Sequence, residues 1–297
     1  MKIRIAVPAL AAAAALALVG CTNTDGAERE TVDADLIAGI ETDAAAAELL
    51  PAEVAESGVL RMGINPNYPP NEYKDENGEP VGWGVDLGDA VAAKLGLEPE
   101  WETMSFDSII PRVQEGALDM SSSSFTDTVE RQKSVDFVNY LNAGSQWAAA
   151  VGEDVDPENA CGLTVAVKAT TVQEQTELPA RSEQCVADGK EPIDILVLDQ
   201  QPEVTQAVVD GRAVAFSADS PIAGDAALQL PDQIELVGEM FDAAPYGLVT
   251  PKDSELTLAV QAAVQSLMDD GTYLEILKSA GVESGALTTA TINAGEN

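Results

Sequence analysis

The chain has 297 residues, with 15 basic and 51 acidic side chains, no histidine and a net charge of −36. So large an excess of acid argues against nucleic acid and anionic lipid surfaces as partners, because both repel it. The absence of histidine excludes imidazole-based catalytic triads and the commonest zinc sites. We therefore expect no metal and no cofactor, and only carboxylates, lysine or tyrosine remain for acid–base chemistry.

The N-terminal residues have the pattern of a bacterial secretion signal. Lys2 and Arg4 precede an apolar stretch over residues 5–19, which is shorter than the roughly 20 residues of a bilayer-spanning helix. A small residue precedes Cys21, as at a lipoprotein cleavage site. We predict removal of residues 1–20 and a lipid on Cys21 that anchors the protein to the extracytoplasmic face of the cell membrane. An ordinary secretory signal with an incidental cysteine is the alternative.

The segment after the signal is rich in alanine, threonine and acidic residues, and residues 22–50 contain no aromatic side chain. Such a composition buries too little apolar surface to offset the entropy lost on ordering the chain. We therefore predict an acidic tether over residues 21–54, with helical turns near residues 43–50, that holds the folded part away from the membrane.

The folded pattern begins with a strand over residues 58–64, which leads into a polar loop over residues 65–73. Apolar residues at helical spacing, with glycine at the end, predict a helix over residues 86–96. A second helix is predicted over residues 106–115. It leads to a short strand over residues 117–120.

The second half of the chain repeats this order of elements. A strand over residues 163–167 opens onto a polar loop at residues 169–172. A helix over residues 203–210 then leads to a strand over residues 213–216 that ends at the polar residues 217–219. The repetition predicts two α/β lobes of similar plan.

Polar clusters follow four of the predicted strands. In open α/β sheets, ligands bind beyond the carboxyl ends of the strands. Two lobes that face each other and hinge shut would therefore enclose one site for a small ligand. The four clusters are Asn65 to Tyr68, Ser121 to Thr126, Thr170 to Thr171 and Ser217 to Asp219.

The run SSSSFTDTVERQK, residues 121–133, has the features of a carboxylate site. Asp127 and Glu130 have the spacing of a capping box at a helix N-terminus, which attracts anions. Ser124 and Thr126 add hydroxyl donors, and the guanidinium fork of Arg131 matches a carboxylate. The alternative is that the hydroxyl run is a turn and that Arg131 is a solvated surface residue.

Asp219 is the candidate partner for an ammonium group, since a carboxylate binds one at close range. With Arg131 on the opposite lobe, it would bracket the zwitterion of an α-amino acid. Tyr68 and Trp83 are candidates for the aromatic walls of the pocket. The alternatives are that Asp219 is a turn residue before Pro221 and that Trp83 belongs to the core.

The three cysteines divide into one predicted lipid carrier and two others. If Cys21 carries the lipid, Cys161 and Cys185 remain in an exported and oxidising compartment. We predict that they form a disulfide. Two free buried thiols are the alternative.

Five stretches, taken in order, carry a resemblance to a known family. They are GVLRMGINPNYPPNEY (58–73), GEPVGWGVDLGDAVAAKLG (78–96), SFDSIIPRVQEGALDMSSSSFTDTVERQKSVDFVNYLNAG (105–144), GRAVAFSADSPIAG (211–224) and PYGLVTPKDSEL (245–256). In order and spacing they resemble the extracellular solute-binding proteins of amino-acid ABC transporters, the family-3 type. The resemblance covers most of residues 58–288.

This resemblance implies an α/β, two-lobed periplasmic-binding-protein fold of type II, with the ligand in the interlobe cleft. Lobe 1 would comprise residues 55–144 and 244–290, lobe 2 residues 145–243, and residues 291–297 a tail. The implied function is that of a monomer that captures a polar L-amino acid by lobe closure and delivers it to an ABC permease.

The resemblance also implies roles for single residues. Arg131 would bind the α-carboxylate, and Ser124 and Thr126 would assist at the carboxylate or at the ammonium. Asp219 would hold the α-ammonium, and Thr171 would add a contact from the second lobe. Tyr68 and Trp83 would form the walls of the pocket.

The chain departs from the family pattern at three positions. Asn65 stands where relatives that prefer cationic side chains have an acidic residue, so a lysine or arginine ligand is less expected. Asn71 replaces a common phenylalanine. Ala169 replaces a glycine, which makes close backbone approach to the ligand carboxylate less favourable.

Two other functions remain open at this point. Some proteins of this fold resemble dehydratases that act on small cyclic dicarboxylates, and Glu72 or Asp219 would be the acid that such chemistry needs. An exported ligand sensor is the third hypothesis. No nucleotide-binding P-loop occurs in the sequence, so ATP hydrolysis would belong to a separate protein.

Overall fold

The computed structural model describes residue 29 and residues 32–296 of the chain. The predicted secretion signal and the predicted lipid site at Cys21 lie outside these residues. Within the described part, no helix is both long enough and apolar enough to cross a membrane.

The described residues form eleven strands and eleven α-helices. The strands are β1 (Val59–Ile64), β2 (Tyr73–Lys74), β3 (Pro80–Val81), β4 (Glu98–Thr103), β5 (Met120–Thr126), β6 (Val135–Ala150), β7 (Thr164–Lys168), β8 (Asp194–Leu198), β9 (Ala215–Asp219), β10 (Ile234–Pro251) and β11 (Ala286–Ile292). The helices are α1 (Ala34–Ala38), α2 (Ala44–Ala47), α3 (Ala52–Ser57), α4 (Trp83–Leu95), α5 (Phe106–Gln114), α6 (Val129–Gln132), α7 (Leu178–Ala187), α8 (Gln201–Val209), α9 (Ser220–Gln229), α10 (Glu255–Asp270) and α11 (Thr272–Ser279).

The sheet is built from two groups of three parallel strands that have the same order. Strands β4, β1 and β5 lie side by side in the first lobe, and β8, β7 and β9 do so in the second lobe. In each group the first strand along the chain occupies the centre. This confirms the predicted two-lobed α/β fold with an internally repeated plan.

Two long strands, β6 and β10, connect the lobes. They pair with each other in antiparallel fashion along most of their length. Strand β10 also pairs with β5 of the first lobe, whereas β6 pairs with β9 of the second. Their register shifts near Phe241 and Ala244, beside Ser145 and Ala143 of the partner strand. The chain thus passes from one lobe to the other along these two strands.

The N-terminal segment differs from the predicted tether over the described residues 32–54. Helices α1 to α3 lie in or overlap this segment, and its few apolar side chains pack on the core of the first lobe. The Asp43 carboxylate caps α2 and accepts a hydrogen bond from Ser266 Oγ at 2.7 Å. Composition alone does not predict this packing, because it shows that the apolar residues are few but not that they all pack against the core of the first lobe. They are Val32, Leu36, Ile37, Ile40, Leu50 and Val54, with Ala46 fully buried.

The predicted C-terminal tail also packs on the first lobe. Strand β11 extends to Ile292 and pairs with β6. Beyond it, the Gly295 N–H donates to Asp127 Oδ2 at 2.9 Å, and Asn293 Oδ1 accepts from the Phe137 N–H at 2.9 Å. A carboxylate that is buried in the first lobe therefore holds the end of the described chain.

The four serines that precede Phe125 belong to strand β5. The sequence predicts a strand that ends at Met120, but strand β5 continues to Thr126, and all seven of its residues are buried. Ser121 Oγ donates to the Gly63 carbonyl at 2.7 Å, and Ser122 Oγ donates to the Gly84 carbonyl at 2.6 Å. These hydrogen bonds satisfy the buried hydroxyls, so a run that is polar in sequence forms a central strand.

The predicted disulfide between Cys161 and Cys185 is present, with Cα atoms 5.5 Å apart. It joins the segment before β7 to helix α7, within the second lobe. Cys185 is buried among the apolar side chains of that lobe, beside Trp147 and Leu178. The bond closes a loop whose ends are 24 residues apart in sequence.

We expect replacement of both cysteines by serine to lower the free energy of unfolding by about 3 kcal/mol, because the unfolded chain regains the entropy of the open loop. Urea denaturation of the variant and of the wild-type protein would measure the difference. Reduction of the wild-type protein provides the matched control. An unchanged unfolding midpoint in both cases would contradict a stabilising bond.

Candidate ligand-binding cleft

A cavity lies between the lobes where the carboxyl ends of the parallel strands of both lobes meet. Its empty space, including solvent at its mouth, is about 320 Å³. All four predicted polar clusters contribute to its walls. The lining residues are Asn65, Tyr68, Glu72, Phe106, Ser123, Ser124, Thr126, Arg131, Lys168, Thr171, Val172, Gln173 and Asp219.

Arg131 reaches the cavity from helix α6 of the first lobe. Its Nη1 donates to the Thr126 carbonyl at 2.9 Å, and its Nη2 crosses to the second lobe and donates to the Thr170 carbonyl at 3.2 Å. The guanidinium also lies over the rings of Phe106 and Phe125. Burial lowers the pKa of Arg131 to about 10, so it is cationic at neutral pH. In the described part of the chain its partners are carbonyls, and no carboxylate forms an ion pair with it.

The predicted capping box is wrong. Helix α6 has only four residues, and its N-cap is Thr128, whose Oγ1 accepts from the Arg131 N–H at 3.2 Å. The Asp127 carboxylate is fully buried and accepts from Gln132 Nε2 and Asn139 Nδ2 at 2.7 and 2.9 Å. Asp127 is therefore a structural anchor, and the Arg131 side chain carries the positive charge of this wall.

Asp219 lies at the end of strand β9 in the second lobe, where the sequence places it. Tyr68 OH, from the first lobe, donates to Asp219 Oδ2 at 2.8 Å, and Gln173 Nε2 donates to Oδ1 at 2.8 Å. Burial raises the pKa of the Asp219 carboxyl, whereas these hydrogen bonds and the charge of Arg131 favour its ionised form. The Tyr68 hydrogen bond is a direct contact between the lobes.

Glu72 forms the acidic floor of the cavity on the first-lobe side. Its Oε2 accepts a hydrogen bond from Ser124 Oγ at 3.0 Å, and Ser124 Oγ in turn accepts from Asn71 Nδ2 at 2.8 Å. Ser124 has a φ of +50°, a strained conformation for serine that turns its hydroxyl toward Glu72. Burial raises the pKa of the Glu72 carboxyl well above its ordinary value. The Ser124 hydroxyl is thus already bonded to protein atoms.

Trp83 does not line the cavity. It is 2% exposed and begins helix α4, with its Nε1 donating to Asn71 Oδ1 at 2.9 Å. Its ring meets that of Tyr140 edge to face, with centroids 6.1 Å apart. The core alternative for Trp83 is therefore the right one. The second aromatic wall is Phe106 instead, at the start of α5.

The loop after strand β7 approaches the cavity despite the alanine at position 169. Thr170 takes up the left-handed conformation, with a φ of +63°. This exposes its carbonyl to Arg131. Thr171 lines the cavity, but its Oγ1 donates to the Lys168 carbonyl at 2.7 Å and so shapes the loop. Thr126 lines the opposite wall and is 8% exposed.

Two buried acceptors in the walls lack hydrogen-bond partners among the described residues. They are Asn65 Oδ1 and Gln173 Oε1. Each of these side chains donates its amide N–H to the protein, Asn65 to the Met104 carbonyl at 2.8 Å. Because an unpaired buried acceptor is costly, both oxygens favour a ligand that presents N–H groups.

Sequence reasoning missed four residues that line the cavity: Phe106, Lys168, Val172 and Gln173. Lys168 is the last residue of strand β7, so the rule that points to strand ends would have included it. Gln173 lies one turn further along the same loop, in a π-helical turn, Gln173–Glu177. The sequence pattern identifies Phe106 only as the first residue of a helix. In the structure its ring stacks on that of Phe125, with centroids 4.2 Å apart.

Comparisons with known proteins agree with this architecture. The family model described as bacterial extracellular solute-binding proteins, family 3, matches residues 60–281. An arginine-binding protein of Corynebacterium glutamicum is 46% identical over 247 residues, which cover 82% of this chain and 81% of that protein. A lysine/arginine/ornithine-binding periplasmic protein of Escherichia coli is 28% identical over 254 residues, which cover 82% and 93% of the two chains.

Solved structures of similar fold include an ancestral arginine-binding protein bound to arginine, with a TM-score of 0.69 and 33% identity over 75% of this chain and 98% of that one. An ancestral amino-acid-binding protein described as a precursor of cyclohexadienyl dehydratase has a TM-score of 0.66 and 31% identity, over 76% and 96%. With a family model that spans most of the folded chain and relatives that match it along their length, this protein belongs to the bacterial extracellular solute-binding proteins of family 3.

Proposed function

We propose that this protein binds a polar L-amino acid in the cleft between its lobes and delivers it to an ABC importer in the membrane. The observation that carries the proposal is Arg131. Its guanidinium lines the cavity and, among the described residues, has two carbonyls as hydrogen-bond partners, across from the carboxylate of Asp219. A zwitterion satisfies both groups at once.

The α-carboxylate of the ligand would bind to Arg131, which has five N–H donors and uses two in the contacts described above. Thr126 is the hydroxyl best placed to assist, because its Oγ1 has no hydrogen bond within the described residues. Ser124 would act through Glu72, to which its hydroxyl is bonded. The α-ammonium would bind to Asp219, beside Tyr68.

The ligand side chain would extend toward Glu72 between the rings of Tyr68 and Phe106. L-Arginine is the ligand that the names of the relatives favour. The family resemblance made a cationic ligand less expected because of Asn65. Glu72 offsets that objection, since it supplies a carboxylate inside the cavity, and Asn65 Oδ1 is an acceptor without a donor among the described residues.

Lobe closure would bring these groups together. The hydrogen bonds from Arg131 to Thr170 and from Tyr68 to Asp219 both join the first lobe to the second. Opening of the cleft would break both and admit the ligand, with the bending taken up where the register of β6 and β10 shifts. Tyr68 also packs among the apolar side chains of the second lobe, so the closed cleft is held by packing as well as by hydrogen bonds.

An enzyme of the same fold is the second candidate. The likeness to an ancestor of cyclohexadienyl dehydratase favours it, and burial raises the pKa of the Glu72 carboxyl, which is the direction that a general acid needs. Glu72 is, however, bonded to Ser124 on the floor of the cleft. We rank this candidate below the transport function.

The anchoring of the protein completes the proposal. Removal of residues 1–20 and a lipid on Cys21 would hold a monomeric receptor at the extracytoplasmic face of the cell membrane, beside its permease. The lobes would comprise residues 55–144 with 244–290, and 145–243. The packed helices α1 to α3 would place the first lobe nearer to the lipid than a long tether would.

We expect isothermal calorimetry with the twenty amino acids to give heat with L-arginine or another polar amino acid, and Arg131→Ala to weaken that binding by more than about 100-fold. The reason is loss of the charge and of the paired N–H donors. Arg212→Ala, which removes an arginine that is exposed beside Asp210, is the matched control. Wild-type affinity in Arg131→Ala, or turnover of a cyclic dicarboxylate with no amino-acid binding, would contradict the proposal.

We expect Glu72→Gln to weaken the binding of L-arginine by about 10- to 100-fold and to change the binding of L-glutamine much less. The substitution keeps the size of the side chain but removes the charge that a guanidinium needs. Glu76→Gln, a change at an exposed carboxylate in the turn between β2 and β3, serves as control. Equal losses for both ligands would indicate that Glu72 supports the cleft and does not recognise the side chain.

We expect a Cys21→Ser variant to be released from the membrane fraction of expressing cells, because stable anchoring would depend on the lipid at that position. Immunoblots of membrane and soluble fractions would measure this, with the wild-type protein in parallel. A Cys21→Ser variant that stays with the membrane would contradict lipid attachment at this residue.

A further inference from the structure

Lys168 projects into the ligand cavity from the end of strand β7. It is 4% exposed, which is rare for a lysine without a partner. Its Nζ lies 4.7 Å from the centroid of the Phe106 ring and 5.8 Å from that of Tyr68. These are the two aromatic walls of the cleft, so the ammonium group sits on their faces as a cation does in a cation–π contact.

The ammonium group of Lys168 has no hydrogen bond or ion pair within the described part of the chain. Four carboxylates act on it from a greater distance, Glu72 and Asp219 inside the cavity and Asp107 and Asp199 at its mouth. Burial outweighs their attraction and lowers the pKa of Lys168 to about 8. The Lys168 ammonium is thus held by the faces of two aromatic rings and by the attraction of carboxylates that form no ion pair with it.

We propose that Lys168 occupies the cation subsite of the cleft and competes there with the cationic side chain of an incoming ligand. This inference rests on the proposed amino-acid-binding function. The subsite consists of the faces of Tyr68 and Phe106 with the Glu72 carboxylate behind them. A bound guanidinium or ammonium side chain takes the place of the Lys168 ammonium.

The balance of charge in the cavity supports this exchange. Among the described lining residues, two carboxylates, Glu72 and Asp219, face two cations, Arg131 and Lys168. A basic amino acid brings one carboxylate for Arg131, one ammonium for Asp219 and one side-chain cation for Glu72. All three then have a partner only if the ammonium of Lys168 leaves. If Lys168 stays, it repels the ligand side chain at short range in a medium of low dielectric constant.

The mouth of the cleft offers Lys168 a second position. Lys168 lines both the inner cavity and the outer groove that contains Asp107, Asp199 and Thr170. A rotation of its flexible side chain about the carbon stem brings the ammonium toward water and those two carboxylates. The residue therefore lowers the affinity for cationic ligands by the free energy of this displacement. A neutral side chain such as that of glutamine does not have to displace the Lys168 ammonium, so its binding does not carry this cost.

Calorimetry on a Lys168→Met variant tests the proposal. We expect the dissociation constant for L-arginine to fall at least about tenfold at pH 7, which corresponds to 1.4 kcal/mol, and that for L-glutamine to change less than about threefold. Lys168→Gln is a second neutral variant with the same expected direction. Lys190→Met removes an exposed lysine that contacts Asn159, and we expect wild-type affinities for it.

The pH dependence gives an independent measurement. The Lys168 ammonium loses its proton as the pH rises through about 8, so we expect the difference in arginine affinity between the wild type and Lys168→Met to shrink from pH 7 to pH 9. If both neutral variants bind arginine no more tightly than the wild type, or if the difference in affinity does not change with pH, the role of Lys168 is overturned. The proposed amino-acid-binding function is not affected by that result. If neither the wild-type protein nor the Lys168 variants bind any amino acid, both the proposed function and the role of Lys168 are overturned.

Discussion

The antiparallel pairing of β6 with β10 is the constraint on which the cleft depends. Each strand runs through both lobes, and each completes the sheet of one of them, so the pair fixes where the two groups of parallel strands meet. The carboxyl ends of both groups open on one cavity, which residues of both lobes line. Arg131 from one lobe and Asp219 from the other can therefore face the same ligand, although 88 positions separate them in the sequence.

The excess of acid in the chain gives this cavity its electrostatic character. A protein with a net charge of −36 attracts cations over its whole surface and repels anions, which favours the approach of a basic amino acid over an acidic one. The acidic protein would still repel the α-carboxylate of such a ligand unless the cleft contained a cation. Arg131 meets that need, and its burial beside Phe106 and Phe125 shields it from the acidic surface.

The sequence predicted the fold and four strand ends that line the cleft, because periodicity, turn residues and strand-end polarity are local signals. It failed where tertiary contacts decide. Asp127 has the spacing of a capping residue, but Asn139 and Gly295 use its oxygens. Trp83 looks like a wall residue until Asn71 takes its indole N–H. Residues 32–54 look like a tether because composition does not reveal that their few apolar side chains share one side.

In the proposed site, the groups that would recognise an α-amino acid and those that would select its side chain work by different means. Arg131 and Asp219 keep partners even in the closed protein, with carbonyls for one and Tyr68 and Gln173 for the other. The donors and acceptors of these two residues that remain free can bind the α-carboxylate and the α-ammonium of a ligand. The binding free energy gained there is therefore similar for every amino acid. The side-chain subsite already holds a cation, Lys168, on the faces of its aromatic walls. Selectivity at the proposed site would therefore depend on how much more strongly a ligand cation interacts with Glu72 than Lys168 does. A change at position 168 would alter that difference without altering the recognition of the amino-acid backbone.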